Sequence, residues 1–341
     1  NLIFFKLGFG LLLTFFLVGC NDDERYWEFQ KAVGSASLLA TGDQDSYSSF
    51  HRPLPRAEDL GLDQEKVELG KQLFHDGRLS KDGNIPCAFC HDIKRGGVDR
   101  LPVSFGVGGA KGDINSPTVL NSGFNSRQFW DGRAKDLADQ AKGPVENPVE
   151  MAHQWPEVVA ELQKVAVYVE RFDSLYPDGI TVDNVVNAIA EFEKSLITPN
   201  APYDRYLAGD QEALSVSAKR GLDYFTRYGC VSCHQGINVG GNMFQKFGAY
   251  TAYFDESNPP SKVDQGLANR TDRVEDQAVF KVPSLRNVAL TPPYFHDANA
   301  QTLDLAVKRM AAVQLGRGLS ESETKDIVAF LESLTGEQPK P

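Results

Sequence analysis

The sequence predicts a mainly α-helical protein built from two similar domains, and three observations carry that prediction. A pattern of helix, Cys-x-x-Cys-His run, long loops and closing helix occurs twice. The helical stretches put apolar residues on one face, and few segments show the two-residue alternation of strands. At 341 residues the chain is long enough for two cores.

The chain opens with "NLIFFKLGFGLLLTFFLVGC", an apolar run ending in Leu17-Val18-Gly19-Cys20. A short apolar region before small residues reads as a secretory signal over 1–20. "LVGC" also resembles the bacterial lipobox, which makes Cys20 the lipidated first residue of a periplasm-facing protein in the cell envelope. That accounts for the fifth cysteine, otherwise an unpaired thiol in an oxidising compartment. Residues 21–56 are polar, with Ser, Gly, Asp and Pro, and read as a tether.

The two domains span 57–200 and 201–341. "ELGKQLF" (Glu68 to Phe74) precedes the first cysteine pair and "AKRGLDYF" (Ala218 to Phe225) the second. Each half closes on a matching helix, "NAIAEFEKSL" (Asn187 to Leu196) and "KDIVAFLESL" (Lys325 to Leu334), with a boundary near "TPNAPYDRY" (Thr198 to Tyr206). Loops as long as those between them wrap something or carry function. The net charge of −11 excludes nucleic acid as a partner, because a phosphate-binding surface needs a basic excess.

"CAFCH" (Cys87 to His91) and "CVSCH" (Cys230 to His234) hold four of the five cysteines. Cys-x-x-Cys-His is the attachment signature of c-type haem. Thiols one helical turn apart add to the two vinyl groups of one porphyrin, and the adjoining His reaches the iron. A zinc ribbon would place its two cysteine pairs near each other, whereas these lie roughly 140 residues apart. A redox dithiol would sit beside a βαβ pattern, which is missing. Two covalent haems are therefore expected, with His91 and His234 as proximal ligands. Second ligands come from His51, His75, His153, His296, Met151, Met243 and Met310.

Two further stretches carry a family resemblance. "NSPTVLNSGFNSRQFWDGRAKDLADQAKGPVENPVEM" (Asn115 to Met151) and "FKVPSLRNVALTPPYFHDANAQTLDLAVKRMAAVQLGRGLS" (Phe280 to Ser320) resemble the bacterial dihaem cytochrome c peroxidases, whose superfamily includes the MauG-type enzymes. The resemblance covers roughly Leu60 to Gly336, in order around both haem motifs. It implies two cytochrome c-like domains and reduction of hydrogen peroxide at the N-terminal haem, with a cytochrome c or cupredoxin as donor.

Residue by residue, the resemblance matches Glu150 to the distal acid–base carboxylate, Gln140 to its neighbouring amide, and Trp130 to the tryptophan between the haems. Met310 matches the sixth ligand of the C-terminal haem and His296 a histidine near it. Asn115, Thr291 and Pro293 match the ligands of an inter-domain calcium, the last two through backbone carbonyls. Homodimers are usual in the family, so a dimer is an expectation carried by the resemblance alone. The chemistry agrees, since a carboxylate in a partly dry pocket can carry a proton between the two oxygens of peroxide. Of the rest, His75 reads as structural and His153 as a surface residue.

One position departs from the pattern. Many family members carry a histidine sixteen residues beyond the proximal one, which caps the peroxidatic iron until the other haem is reduced. Here that position is Val107, in "VSFGVGGAKGD" (Val103 to Asp113), and the loop has no histidine. The expectation is an iron open without reductive activation, unless His51, His75 or His153 is recruited. Two rival readings remain: a MauG-type enzyme that oxidises residues of a partner protein, and a non-catalytic dihaem electron carrier. The MauG branch has Tyr where this chain has Met310, and an electron carrier has no use for Glu150 and Gln140 beside an uncapped iron.

Overall fold

In the computed structural model the described residues are 50–254 and 259–339, and they are mainly helical. The apolar leader, Cys20 and most of the tether lie outside the described residues. Helix α1 (Gln64–Phe74) starts where the Asp63 carboxylate accepts the Glu65 and Lys66 amides, and it buries Val67, Leu69, Leu73 and Phe74. The first motif is a single turn, α2 (Cys87–Cys90). Then come α3 (Leu137–Glu146), α4 (Trp155–Leu162), α5 (Ala166–Leu175) and α6 (Val182–Ser195). The second half holds α7 (Pro202–Leu207), α8 (Val216–Arg227), α9 (Ala268–Thr271), α10 (Leu303–Leu315) and α11 (Glu321–Glu332). Strands β1 (Phe244–Lys246) and β2 (Val279–Lys281) pair antiparallel, with Phe244 opposite Lys281. Among the described residues no helix is long and apolar enough to cross a membrane.

The internal repeat extends to single atoms. Helix α1 packs on α6 at Gly70, where a Cβ would lie 1.9 Å from the Ala188 carbonyl oxygen. Helix α8 packs on α11 at Gly221, where a Cβ would lie 1.8 Å from the Asp326 carbonyl oxygen. Only glycine lets two backbones approach so closely. One turn further, Phe74 meets Phe192 with ring centres 5.3 Å apart, and Phe225 meets Phe330 at 5.1 Å. These pairs seed two separate cores, one around Leu69, Phe74 and Ile189 and one around Leu222, Phe225 and Ile327.

The loops repeat as well. Asn121 and Asn287 both take left-handed φ, 58° and 59°, and each donates its side-chain amide to Thr198 Oγ1 at 2.8 Å. Phe129 and Phe295 likewise share positive φ, within the paired turns Gln128–Ala134 and Tyr294–Ala300. Capped by Asp136 and Thr302, α3 and α10 follow these turns. Trp130 and His296 therefore occupy equivalent places in the two halves, and Met310 stands where the first half has Pro144.

Two expectations are corrected. Residues 50–56, read as the end of a tether, are docked on the second half: Gly236 N–H donates to the Phe50 carbonyl at 2.7 Å and Leu54 is buried. His51 is only 2% exposed, bonded to Tyr203 Oη at 2.7 Å and to the His234 carbonyl at 2.9 Å. A fully buried pair, Arg286 with Asp204 at 2.6 Å, ties this segment down, because Arg286 also donates to the Arg52 carbonyl and Asp204 accepts Leu54 N–H. Between the two halves, Thr198, Ala201 and Tyr203 are buried. His153, read as a surface residue, is buried too, with Nδ1 3.1 Å from Glu157 and Nε2 3.7 Å from Glu161. Its Nδ1 also accepts the Gln154 N–H at 2.9 Å, whereas Nε2 has no hydrogen-bond partner among the described residues.

Candidate active site

The second motif begins where α8 ends. Gly229 turns the chain with φ 91°, and His234 N–H donates to the Cys230 carbonyl at 3.0 Å, so Cys230 and Cys233 sit one turn apart. Cys230, Cys233 and His234 line a cavity of about 260 Å³, and Met310 of α10 lines it too. Its other walls include Phe225, Val282, Leu285, Val288 and Leu331. Burial pulls the His234 pKa down to about 4, leaving a neutral imidazole. Its buried Nδ1 finds no partner in good hydrogen-bond geometry, although the Val239 and Pro283 carbonyls face it. A neutral imidazole, two thiols and a thioether around one apolar cavity fit a haem, which Cys230, Cys233 and His234 would hold with Met310 available as a further ligand.

The first motif has the same local form. His91 N–H donates to the Cys87 carbonyl at 3.0 Å, and His91 Nδ1 lies 3.4 Å from the Gly97 carbonyl, which leaves Nε2 for a metal. Burial lowers the His91 pKa and raises the Cys87 and Cys90 thiols to about 12 and about 11. The Glu150 carboxylate contributes to the rise at both thiols, so it lies close to this motif.

Glu150 is carried by the turn that ends α3. Its N–H donates to the Asn147 carbonyl at 3.0 Å, and Asn147 Nδ2 donates back to Glu150 Oε1 at 2.6 Å. Burial pushes the Glu150 pKa up, against the opposing Asn147 hydrogen bond and the Arg133 charge. Gln140 lies on α3, the helix that Asn147 terminates. Arg133 rests on the Phe129 ring at 3.4 Å.

Val107 lies directly against this turn. Its N–H donates to the Glu150 carbonyl at 2.8 Å, and a Cβ on Gly106 would come within 2.2 Å of that oxygen. The loop closes on itself through Gly106 N–H to the Ala110 carbonyl at 2.8 Å and Gly112 N–H to the Ser104 carbonyl at 2.9 Å. Of the histidines named as substitutes, His51 is held behind His234, and His75 Nδ1 is bonded at 2.9 Å to the Lys71 carbonyl of its own helix.

Trp130 joins the halves. Its indole N–H donates to the Asn115 carbonyl at 2.9 Å, and its ring stands edge-on to His296 at 6.0 Å and to Phe280 at 6.5 Å. Trp130, His296, Asn115, Thr291 and Pro293 all line the cavity of the second motif. Among the described residues no group of three or more His, Cys, Asp or Glu could hold a metal ion. A cation at Asn115, Thr291 and Pro293 would therefore rest on amide and carbonyl oxygens.

Sequence reasoning missed three residues here. Asp264 accepts from His296 Nε2 at 2.7 Å and Phe280 stacks on the same imidazole at 4.3 Å; Phe280 opens the second family-like stretch without having a role there, and Asp264 lies outside it. Glu193 is buried with Oε2 unpartnered, and burial raises it to about 8. The repeat could have pointed to it, because its counterpart Leu331 lines the second cavity.

The family model described as "Di-haem cytochrome c peroxidase" matches residues 64–212. The chain is 48% identical to "Cytochrome c peroxidase Ccp" of Escherichia coli (strain K12) over 84% of its own length, and it spans 61% of that relative. It is 44% identical to "Cytochrome c551 peroxidase" of Pseudomonas aeruginosa, over 89% of this chain and 90% of the relative. Among solved structures it resembles a MauG-like protein associated with microbial copper homeostasis, with a TM-score of 0.71, 28% identity and coverage of 87% and 96%. With that agreement across nearly the whole chain, and both haem-attachment motifs in place, the protein belongs to the di-haem cytochrome c peroxidase family.

Proposed function

We propose that this member of the family reduces hydrogen peroxide to water with electrons taken singly from a cytochrome c or a cupredoxin. One haem would be bound by Cys87, Cys90 and His91 and a second by Cys230, Cys233 and His234. When bound, the first supplies the iron at which the O–O bond breaks, and the second stores an electron for it. The observation that carries the reading is Glu150, a half-buried carboxyl oriented by Asn147 beside the first motif.

Glu150 takes the proton from one peroxide oxygen and returns it to the other, which leaves as water; two electrons and two further protons complete the second water. Gln140 offers a hydrogen bond to peroxide without titrating. Trp130 shortens the electron's path between the halves, with His296 beside it. A calcium ion at Asn115, Thr291 and Pro293 would hold the two halves in register. The same reading includes a periplasm-facing position, a lipid anchor through Cys20 and a homodimer. Steady-state peroxide consumption with reduced cytochrome c or cupredoxin tests it, and a fully haem-loaded protein that turns over neither donor would defeat it.

Met310 favours this reading over the partner-oxidising one. As the sixth ligand of the C-terminal iron, its thioether should give a weak red charge-transfer band and a positive potential. Met310→His is expected to abolish the band and lower the potential. If both persist in the variant, another residue is the ligand.

Val107 supports an iron that needs no reductive activation. A valine side chain has no lone pair, and its loop is fastened to the Glu150 backbone. The oxidised protein is expected to show a high-spin signal in electron paramagnetic resonance and to consume peroxide without a lag. A purely low-spin spectrum, with a lag that only pre-reduction removes, would mean that His153 or another group caps the iron.

A further inference from the structure

Lys281 lies in the wall of the cavity that holds Cys230, Cys233, His234 and Met310. It is 7% exposed, on β2 opposite Phe244, and its backbone N–H donates to the Trp130 carbonyl at 2.9 Å. Among the described residues no carboxylate bonds or ion-pairs with its ammonium group, and burial alone pulls its pKa down to about 8. Burying an unpaired ammonium costs several kcal/mol, so buried lysines are found with an anion.

The rest of the wall offers no other fixed charge: it contains no Asp, Glu or Arg, and its two imidazoles are His234 and His296. The haem implied by the second motif brings the missing anion, because each haem carries two propionates. The cavity thus supplies a cation without a counter-ion, and the cofactor supplies carboxylates without one.

We propose that the Lys281 ammonium is the counter-ion of a propionate of the C-terminal haem, holding that edge of the ring beside the backbone of Trp130. The inference rests on haem occupying this cavity and not on peroxidase activity. A positive charge at the propionate offsets negative charge near the iron, which favours the reduced state and raises the midpoint potential. Lys281 is in this sense a positioning and tuning residue, distinct from the iron ligands.

The test uses the full chain with two covalent haems verified by mass, and reads both midpoints by spectroelectrochemical titration. Lys281→Met is expected to shift the C-terminal midpoint downward and the N-terminal one less. Lys281→Arg, which keeps the charge, should stay near the wild-type value. A structural role alone would move Met and Arg together, so equal shifts overturn the proposal, as does no shift in Lys281→Met. If Lys281→Met fails to load haem, the crystal structure of the wild-type holoprotein decides. Nζ within ion-pair reach, about 4 Å, of a propionate oxygen supports the proposal, and a longer separation from both propionates overturns it.

Discussion

Replacing Glu150 with Gln is expected to leave both haem spectra intact while cutting peroxide turnover by about 100-fold or more, the scale of lost general acid–base catalysis. Glutamine preserves the size of the side chain and the backbone turn through Asn147, but it cannot accept a proton. The pH profile gives a second check. Burial raises the Glu150 pKa above its ordinary value of 4.5, and the ionised form is the one that takes the proton from peroxide. Activity should therefore fall as pH drops through a value higher than an exposed carboxylate would show, and this acid limb should vanish in Glu150→Gln. Near-normal turnover in a fully haem-loaded variant would remove Glu150 from the mechanism.

The second large effect falls on stability. Asp204→Ala is expected to cost about 3–5 kcal/mol, because it strands the buried Arg286 charge without its partner. Asp204 also accepts the Leu54 and Ala201 amides, so the cost extends to the docked N-terminal segment. Chemical denaturation followed at the C-terminal haem should show an earlier midpoint, and limited proteolysis should cut near residue 50 sooner than in the parent. Replacing both partners with apolar side chains, Asp204→Leu with Arg286→Met, should recover much of the loss. An unchanged denaturation midpoint in Asp204→Ala would show that the pair does not hold the segment.

What lay within reach of the sequence was whatever is encoded by neighbours along the chain. Helices α1, α6, α8 and α11 appear where apolar periodicity and capping residues such as Asp63 and Ser320 put them, since both signals act within one or two turns. The cysteine motifs were equally legible, because haem attachment needs two thiols and an imidazole within five consecutive residues. The departure at Val107 could also be read directly, as a side chain without a lone pair.

The tertiary structure decided everything that depends on residues far apart meeting in loops without periodicity. No local signal pairs Asp264 with His296 or Arg286 with Asp204, and none tells that His51 and His153 are buried. A polar residue reads as exposed until its partner is known, because only a specific hydrogen bond or ion pair offsets the cost of taking it out of water. That partner is supplied by the packing of the two halves. Gly70 and Gly221 mark the division: both were visible in the repeat, but only the touching backbones of Ala188 and Asp326 explain why neither position could carry a side chain.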